Sequence, residues 1–106
     1  MPARRSRLPK TLQDFKSTYP AVWKQYQALR DACDQAGPLP LKTRELINIA
    51  IEVAKKRHGG LIAHISRAKK AGAPSSEIYQ AILLAAPLVG MPDVLDAFRV
   101  AKKRLG

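Results

Sequence analysis

The chain has 106 residues and carries 19 Lys and Arg against eight Asp and Glu, a formal net charge of +11. This length suits one domain, and a hydrophobic content of 46% is typical of a globular protein rather than a disordered one. The single cysteine, Cys33, excludes an intramolecular disulfide and a cysteine-based metal site. No apolar run has the length of a signal peptide or a membrane span, so we expect a cytoplasmic protein that does not enter a membrane.

The N-terminal third predicts a basic arm and two helices. Residues 1–8 are expected to form a flexible arm, and residues 9–106 a single helical domain. A short helix is predicted over 9–19, and it ends there because the residue before a proline avoids the helical region. Apolar residues recur at helical spacing over 21–35, and Gly37 behind them is a stop signal.

The third predicted helix, over 43–57, is the most informative segment. Its apolar residues leave little room for a polar face; they are Leu46, Ile47, Ile49, Ala50, Ile51, Val53 and Ala54. A helix that is apolar on nearly all sides is buried within its domain or at a subunit contact. The polar residues Glu45, Asn48 and Glu52 form one narrow stripe. Glu52 precedes Lys56 by four residues, the spacing of an ordinary surface ion pair.

The C-terminal half predicts three more helices. Residues 58–60 interrupt the pattern, and a fourth helix is predicted over 61–71. A fifth helix opens at 74–75 and should be kinked by Pro87 near its end. The last helix begins at 90–92. Six helices with short connections and no strand pattern predict an all-α bundle, with a core of aliphatic residues and alanine.

Several short segments, taken together, resemble the carboxymuconolactone decarboxylase superfamily. They are TRELI at 43–47, AHISRA at 63–68, AGA at 71–73, SEI at 76–78 and GMP at 90–92. The resemblance covers about residues 20–100. It implies a six-helix bundle of the alkyl hydroperoxidase D-like type that assembles as a homo-oligomer, a trimer or hexamer. The superfamily contains decarboxylases of a lactone carboxylic acid and hydroperoxidases with a redox-active cysteine pair.

The hydroperoxidase branch carries a glutamate followed by the motif Cys-x-x-Cys-x-x-x-His. Carried onto this chain, the histidine is His64 and the glutamate is most naturally Glu45, while the two cysteine positions hold Arg57 and Gly60. Neither of these residues can supply a thiolate or form a disulfide. The resemblance therefore argues against dithiol peroxidase activity in this chain.

The remaining polar residues suit decarboxylation, which needs an anchor for a carboxylate and a proton donor. Histidine as a residue type titrates near neutrality and can supply the proton, and arginine pairs with a carboxylate through two parallel hydrogen bonds. In a pocket between helices or subunits, we expect His64 to act as proton donor or acceptor and Glu45 to orient it. The sequence leaves open whether Glu45 or Glu52 faces His64. Arg57 or Arg44 would hold the substrate carboxylate, with Asn48 as a further binding residue. A buried structural histidine is the alternative interpretation of His64.

Other interpretations remain open from the sequence. The family resemblance also fits a noncatalytic oligomeric member kept for assembly or ligand binding. The net charge would attract a small anionic ligand, and it also allows a nucleic-acid-binding module, although no one-sided basic stripe or nucleic-acid motif supports this. We expect no cofactor and no metal, because His58 and His64 lack the i, i+4 spacing of a helical zinc pair.

Overall fold

The structure, a computed structural model, describes residues 10–106, and all regular secondary structure in this range is helical. The prediction of an all-α chain is thereby confirmed for the described residues. The chain divides at the predicted 37–40 loop into two compact units, the first ending at Pro38 and the second running from Leu39 to Gly106. The predicted basic arm, residues 1–8, lies outside the described residues.

The first unit contains helices α1, Lys10–Thr18, and α2, Pro20–Gln35. Pro20 occupies the first turn of α2. Backbone N–H groups in a first turn form no hydrogen bond within the helix, so a proline there costs none. The Phe15 ring packs edge-on against Trp23, with 6.4 Å between centroids, and Lys16 Nζ lies 5.0 Å from the centroid of the Trp23 ring. Neither helix contains a buried residue. Aromatic contacts therefore link these two helices in place of a core.

The second unit contains five helices. They are α3, Leu41–Lys55; α4, His58–Lys70; α5, Ser75–Leu83; α6, Ala86–Val89; and α7, Met91–Leu105. The six predicted helices are all present among the described residues, and the four-residue α6 is additional. Pro87 does not kink α5 as predicted, because α5 already ends at Leu83 and Pro87 lies in the first turn of α6.

The break between α3 and α4 lies two residues earlier than predicted. Lys56 adopts a left-handed conformation with φ of 59°, and Arg57 is extended with φ of −105° and ψ of 93°. Helix α4 therefore begins at His58, and Gly59 and Gly60 belong to its first turn rather than to a loop. Such a short connection between two packed helices is an αα-hairpin.

The core of the second unit consists of aliphatic residues and alanines, as predicted. Its largest fully buried members are Ile49, Leu61, Ile65, Ile78, Ile82, Val53 and Val94. Small residues such as Ala68 and Ala101, each 0% exposed, allow the helices to approach closely. This core joins α3, α4, α5 and α7 around one centre.

Helix α3 is only partly covered in the single chain. Ile49 and Val53 are buried, whereas Ile47 is 45% exposed and Ile51 is 48% exposed. One face of α3 is therefore uncovered within one copy of the chain, and the predicted cover by a subunit contact stays a prediction. Among the described residues, no helix combines the length and apolar character required to cross a membrane.

Candidate active site

The hairpin of α3 and α4 brings the polar stripe of α3 against α4. Glu45 and Glu52 are seven residues apart, which places them two turns apart on the same face of α3. Gly60 and His64 are four residues apart, one turn apart on one face of α4. Because the short connection folds α4 back along α3, these two faces meet, and both glutamates lie beside His64.

Glu45 and His64 form the central contact of the site. The Nδ1 atom of His64 lies 2.6 Å from Oε1 of Glu45, and the two side chains are 17% and 9% exposed. An ionised carboxylate only accepts hydrogen bonds, so with Glu45 in this form Nδ1 is the donor of the hydrogen bond. Glu45 is the one polar or charged residue that is buried among the described residues. A buried carboxylate without this partner would be strongly disfavoured.

Glu52 lies on the opposite side of the His64 ring. Its Oε2 atom is 3.7 Å from Nε2 of His64, and its side chain is 16% exposed. The predicted surface pair of Glu52 with Lys56 is wrong. Lys56 leaves the helix through its left-handed conformation and instead reaches Asp93, with Nζ 3.8 Å from Oδ1. The Glu52 side chain therefore points towards α4 rather than solvent, and both glutamates lie beside His64.

Gly60 provides the room for the Glu52 carboxylate. A Cβ atom on residue 60 would lie 2.5 Å from Cδ of Glu52 and 2.6 Å from each of its carboxylate oxygens. These separations are shorter than any ordinary contact with a carbon atom. The Glu52 carboxylate therefore occupies the space that a side chain on residue 60 would take. The neighbouring Gly59 has open space at the same point, with nothing within 4 Å.

The other residues expected at the site have different surroundings. Arg57 is exposed at the N-terminal boundary of α4, seven residues before His64. Arg44 donates a hydrogen bond from Nη1 to the carbonyl oxygen of Leu39 at 2.6 Å. Asn48 is half-buried in the stripe between Glu45 and Glu52. The pairing of Glu45 with His64 is thus visible, whereas the binding roles of Arg57, Arg44 and Asn48 stay predictions.

Glu52 and Gly60 are the site residues that sequence reasoning underrated. The available signal was their register: Glu52 is two turns from Glu45, and Gly60 is one turn before His64. The spacing of Glu52 to Lys56 pointed equally well to a surface pair. The left-handed backbone of Lys56, which the sequence does not predict, ends α3 there. In the structure Lys56 then reaches Asp93, and Glu52 faces His64.

A large apolar groove opens on the exposed face of α3. It has a volume of about 780 Å³ and lies between α3, α5 and α6. Its apolar lining includes Leu46, Ile47, Ala50, Ile51, Leu84 and Leu88. Lys42 and Glu77 lie at its polar end, where Nζ is 3.1 Å from Oε1. We call this the α3 groove.

A second, much smaller cavity borders Glu52. Its volume is about 10 Å³, which is room for about one water molecule. Charged or titratable side chains line it from three helices and their connection: Glu52, Lys56, His58, Asp93 and Asp96. We call this the Glu52 cavity. His64 lines neither this cavity nor the α3 groove.

The described residues contain no group of three or more His, Cys, Asp or Glu side chains arranged to hold a metal ion. The Glu45–His64–Glu52 arrangement consists of one imidazole with a carboxylate near each ring nitrogen. His58 does not join it; its Nε2 lies 3.8 Å from Oδ2 of Asp96. Cys33 is a free, exposed thiol on α2.

These features define a small all-α protein whose candidate site holds one histidine between two glutamates on a helical hairpin. The model of the carboxymuconolactone decarboxylase family matches residues 20–103, most of the chain, and the chain belongs to that family. With only one cysteine, it lacks the cysteine pair of the hydroperoxidase branch. No curated protein and no solved structure matched the chain.

Proposed function

We propose that this chain acts on a small carboxylate-bearing molecule as a carboxymuconolactone decarboxylase-like protein, with His64 as its proton donor and acceptor. The observation that carries the proposal is the 2.6 Å hydrogen bond between His64 Nδ1 and Glu45 Oε1. This bond fixes the orientation of the ring and leaves Nε2 for chemistry. A positioned histidine of this kind is a common general acid and base.

The proposed reaction exchanges a carboxylate for a proton. The bond between the carboxyl carbon and its neighbour breaks, carbon dioxide leaves, and the electron pair stays on the substrate as a carbanion or enolate. Nε2 of His64 then donates its proton to that carbon, and a new C–H bond forms. One proton is consumed in each turnover, because the carboxylate is lost as a neutral gas.

The substrate carboxylate needs a cation, and Arg57 is the residue we assign to it. Arg57 is the residue that immediately precedes α4, at the helix N-terminus, where an anion is favoured. Its planar guanidinium suits bidentate binding of a carboxylate. Arg44 and Asn48 would contact the remainder of the substrate. The net charge of +11 would raise the local concentration of an anion.

The proposal includes assembly of several copies, as a trimer or hexamer. The α3 groove exposes a continuous apolar surface, and Leu84 and Leu88 beside it are 64% and 86% exposed. Apolar surfaces of this kind on one chain commonly mark protein contacts. A neighbouring copy of the chain is the covering we propose, with the exposed leucines of one copy packed against the groove of the next.

A noncatalytic member of the family is the second candidate, and one observation favours it. His64 lines neither the α3 groove nor the Glu52 cavity, so the single chain has no described pocket at its ring. In this alternative, the contact of His64 with Glu45 stabilises the hairpin and the α3 groove binds a ligand or another copy. Dithiol peroxidase activity is not proposed, because Arg57 and Gly60 replace the cysteines.

Turnover of carboxymuconolactone by the purified chain tests the proposal. We expect His64→Gln to lower the rate of carboxylate loss by about 10²- to 10⁴-fold, the range for a positioned general acid. Ser66→Ala, at an exposed position on the same helix, is the control and should match the parent. A His64→Gln variant as fast as the parent would eliminate His64 as proton donor. Binding of the lactone without turnover would support the noncatalytic alternative.

A further inference from the structure

The site contains a second carboxylate, that of Glu52, which takes no part in the loss of carbon dioxide proposed above. Oε1 of Glu52 is buried and has no hydrogen-bond partner among the described residues, and Oε2 faces Nε2 of His64 at 3.7 Å. A buried carboxylate oxygen without a donor is costly, and such cases generally need an explanation. Oε1 of Glu52 is therefore available to accept a hydrogen bond from a water molecule.

Nε2 of His64 and Oε2 of Glu52 face each other at 3.7 Å, longer than a direct hydrogen bond. With Nδ1 donating to Glu45, a neutral ring presents a lone pair at Nε2, and an ionised Glu52 presents only lone pairs. A hydrogen on either Nε2 or Glu52 would turn these two facing acceptors into a donor and an acceptor. One proton could then be exchanged between an imidazole nitrogen and a carboxylate oxygen.

The Glu52 cavity lies beside the Glu52 side chain and is bordered by residues near the surface. One water molecule fits there, between Glu52 and side chains that are themselves accessible: Lys56 is exposed and His58 is half-buried. Asp93 and Asp96 complete the polar wall. A water in this position can pass a proton to Glu52 from the outside of the hairpin while Glu45 holds the other side of the ring.

We propose that Glu52 returns a proton to Nε2 of His64 after each turnover, and that Gly60 is a positioning residue whose missing side chain keeps the Glu52 carboxylate in place. The inference rests on the proposed function, because that reaction consumes a proton from His64. The cycle balances: Nε2 gives its proton to the substrate carbon, Glu52 gives its carboxyl proton to Nε2, and a water-derived proton from the cavity restores Glu52.

The role of Gly60 makes the proposal testable without removing any titratable group. A Cβ at residue 60 would overlap Glu52, and the flexible glutamate side chain would move away rather than the backbone. Gly60→Ala therefore separates Glu52 from His64 while both residues remain. Gly59→Ala adds the same methyl group one residue away, where nothing lies within 4 Å, and is the matched control.

The experiment is a measurement by nuclear magnetic resonance of how fast the ring protons of His64 exchange with water in the unliganded protein. We expect Glu52→Gln and Gly60→Ala to slow exchange at Nε2 on the order of 100-fold, the lower end for a positioned proton-transfer group. Gly59→Ala should exchange as the parent does. The amide spectra of all variants check that the fold is retained.

Unchanged exchange in both Glu52→Gln and Gly60→Ala would overturn the inference. Equal slowing by Gly59→Ala and Gly60→Ala would overturn the assignment of Gly60, because the effect would then follow from any methyl group in that turn. The measurement uses no substrate. Failure of the decarboxylation assay and failure of this proton path are therefore separate results.

Discussion

Oε1 of Glu45 on α3 and Nδ1 of His64 on α4 lie 2.6 Å apart, although 19 residues of chain separate them. This hydrogen bond ties together the two helices of the hairpin. It also satisfies the one buried carboxylate among the described residues. The same contact thus contributes to stability and orients the ring proposed to carry the proton.

The first prediction separates these two contributions. His64→Ala leaves the Glu45 carboxylate buried without a donor, so we expect it to lower the free energy of unfolding by about 1.5–3 kcal/mol. His64→Gln can still donate from its amide and should lose less. Urea unfolding followed by circular dichroism measures both values.

A His64→Ala variant as stable as the parent would contradict this prediction, because it would show that Glu45 finds another partner or water at no cost. A stable but inactive His64→Gln variant would show that the ring serves proton transfer in addition to structure.

The second prediction concerns assembly through the α3 groove. Leu88 borders the groove and is 86% exposed in the single chain, so a charge there would be desolvated in an assembled state. We expect the parent chain to scatter light as an oligomer and Leu88→Glu to shift it towards the monomer. Leu95→Glu is the control, because Leu95 is 56% exposed on α7 and does not line the groove.

Two outcomes would count against the proposed contact. A parent chain that is monomeric at high concentration would remove the second copy as occupant of the groove. Dissociation by Leu95→Glu but not by Leu88→Glu would move the contact to another surface.

The third prediction compares the two glycines in the first turn of α4. Alanine loses less backbone entropy than glycine on folding, so Gly59→Ala should stabilise the protein by about 0.4–1 kcal/mol. Gly60→Ala should gain less than Gly59→Ala, because it also displaces the half-buried Glu52 carboxylate. Thermal unfolding of the two variants side by side gives the difference.

An additional variant identifies the cause of that difference. Glu52→Ala removes the group that a Cβ on residue 60 would meet, so Gly60→Ala should become as favourable in that background as Gly59→Ala. If the gap between the glycine variants persists without the Glu52 side chain, its origin lies elsewhere in the turn.

Local signals in the sequence were sufficient for the helices. Apolar spacing of three and four residues predicted six helices, and Gly37 and the prolines marked most of their ends, because these effects act within one turn of the chain. The boundary between α3 and α4 was misplaced since two glycines suggested the break. Lys56 makes that turn instead, in a conformation that residues with side chains rarely adopt.

The sequence by itself determined the all-α class and the resemblance to a family whose cysteine pair this chain lacks, and the family pattern made Glu45 the expected partner of His64. Only the tertiary structure decided that Glu52 also faces His64 and that one side of α3 stays uncovered. Helical spacing states which residues share a face, but the packing of neighbouring helices decides which faces are covered. That packing follows from contacts far apart in the chain, and no local pattern contains it.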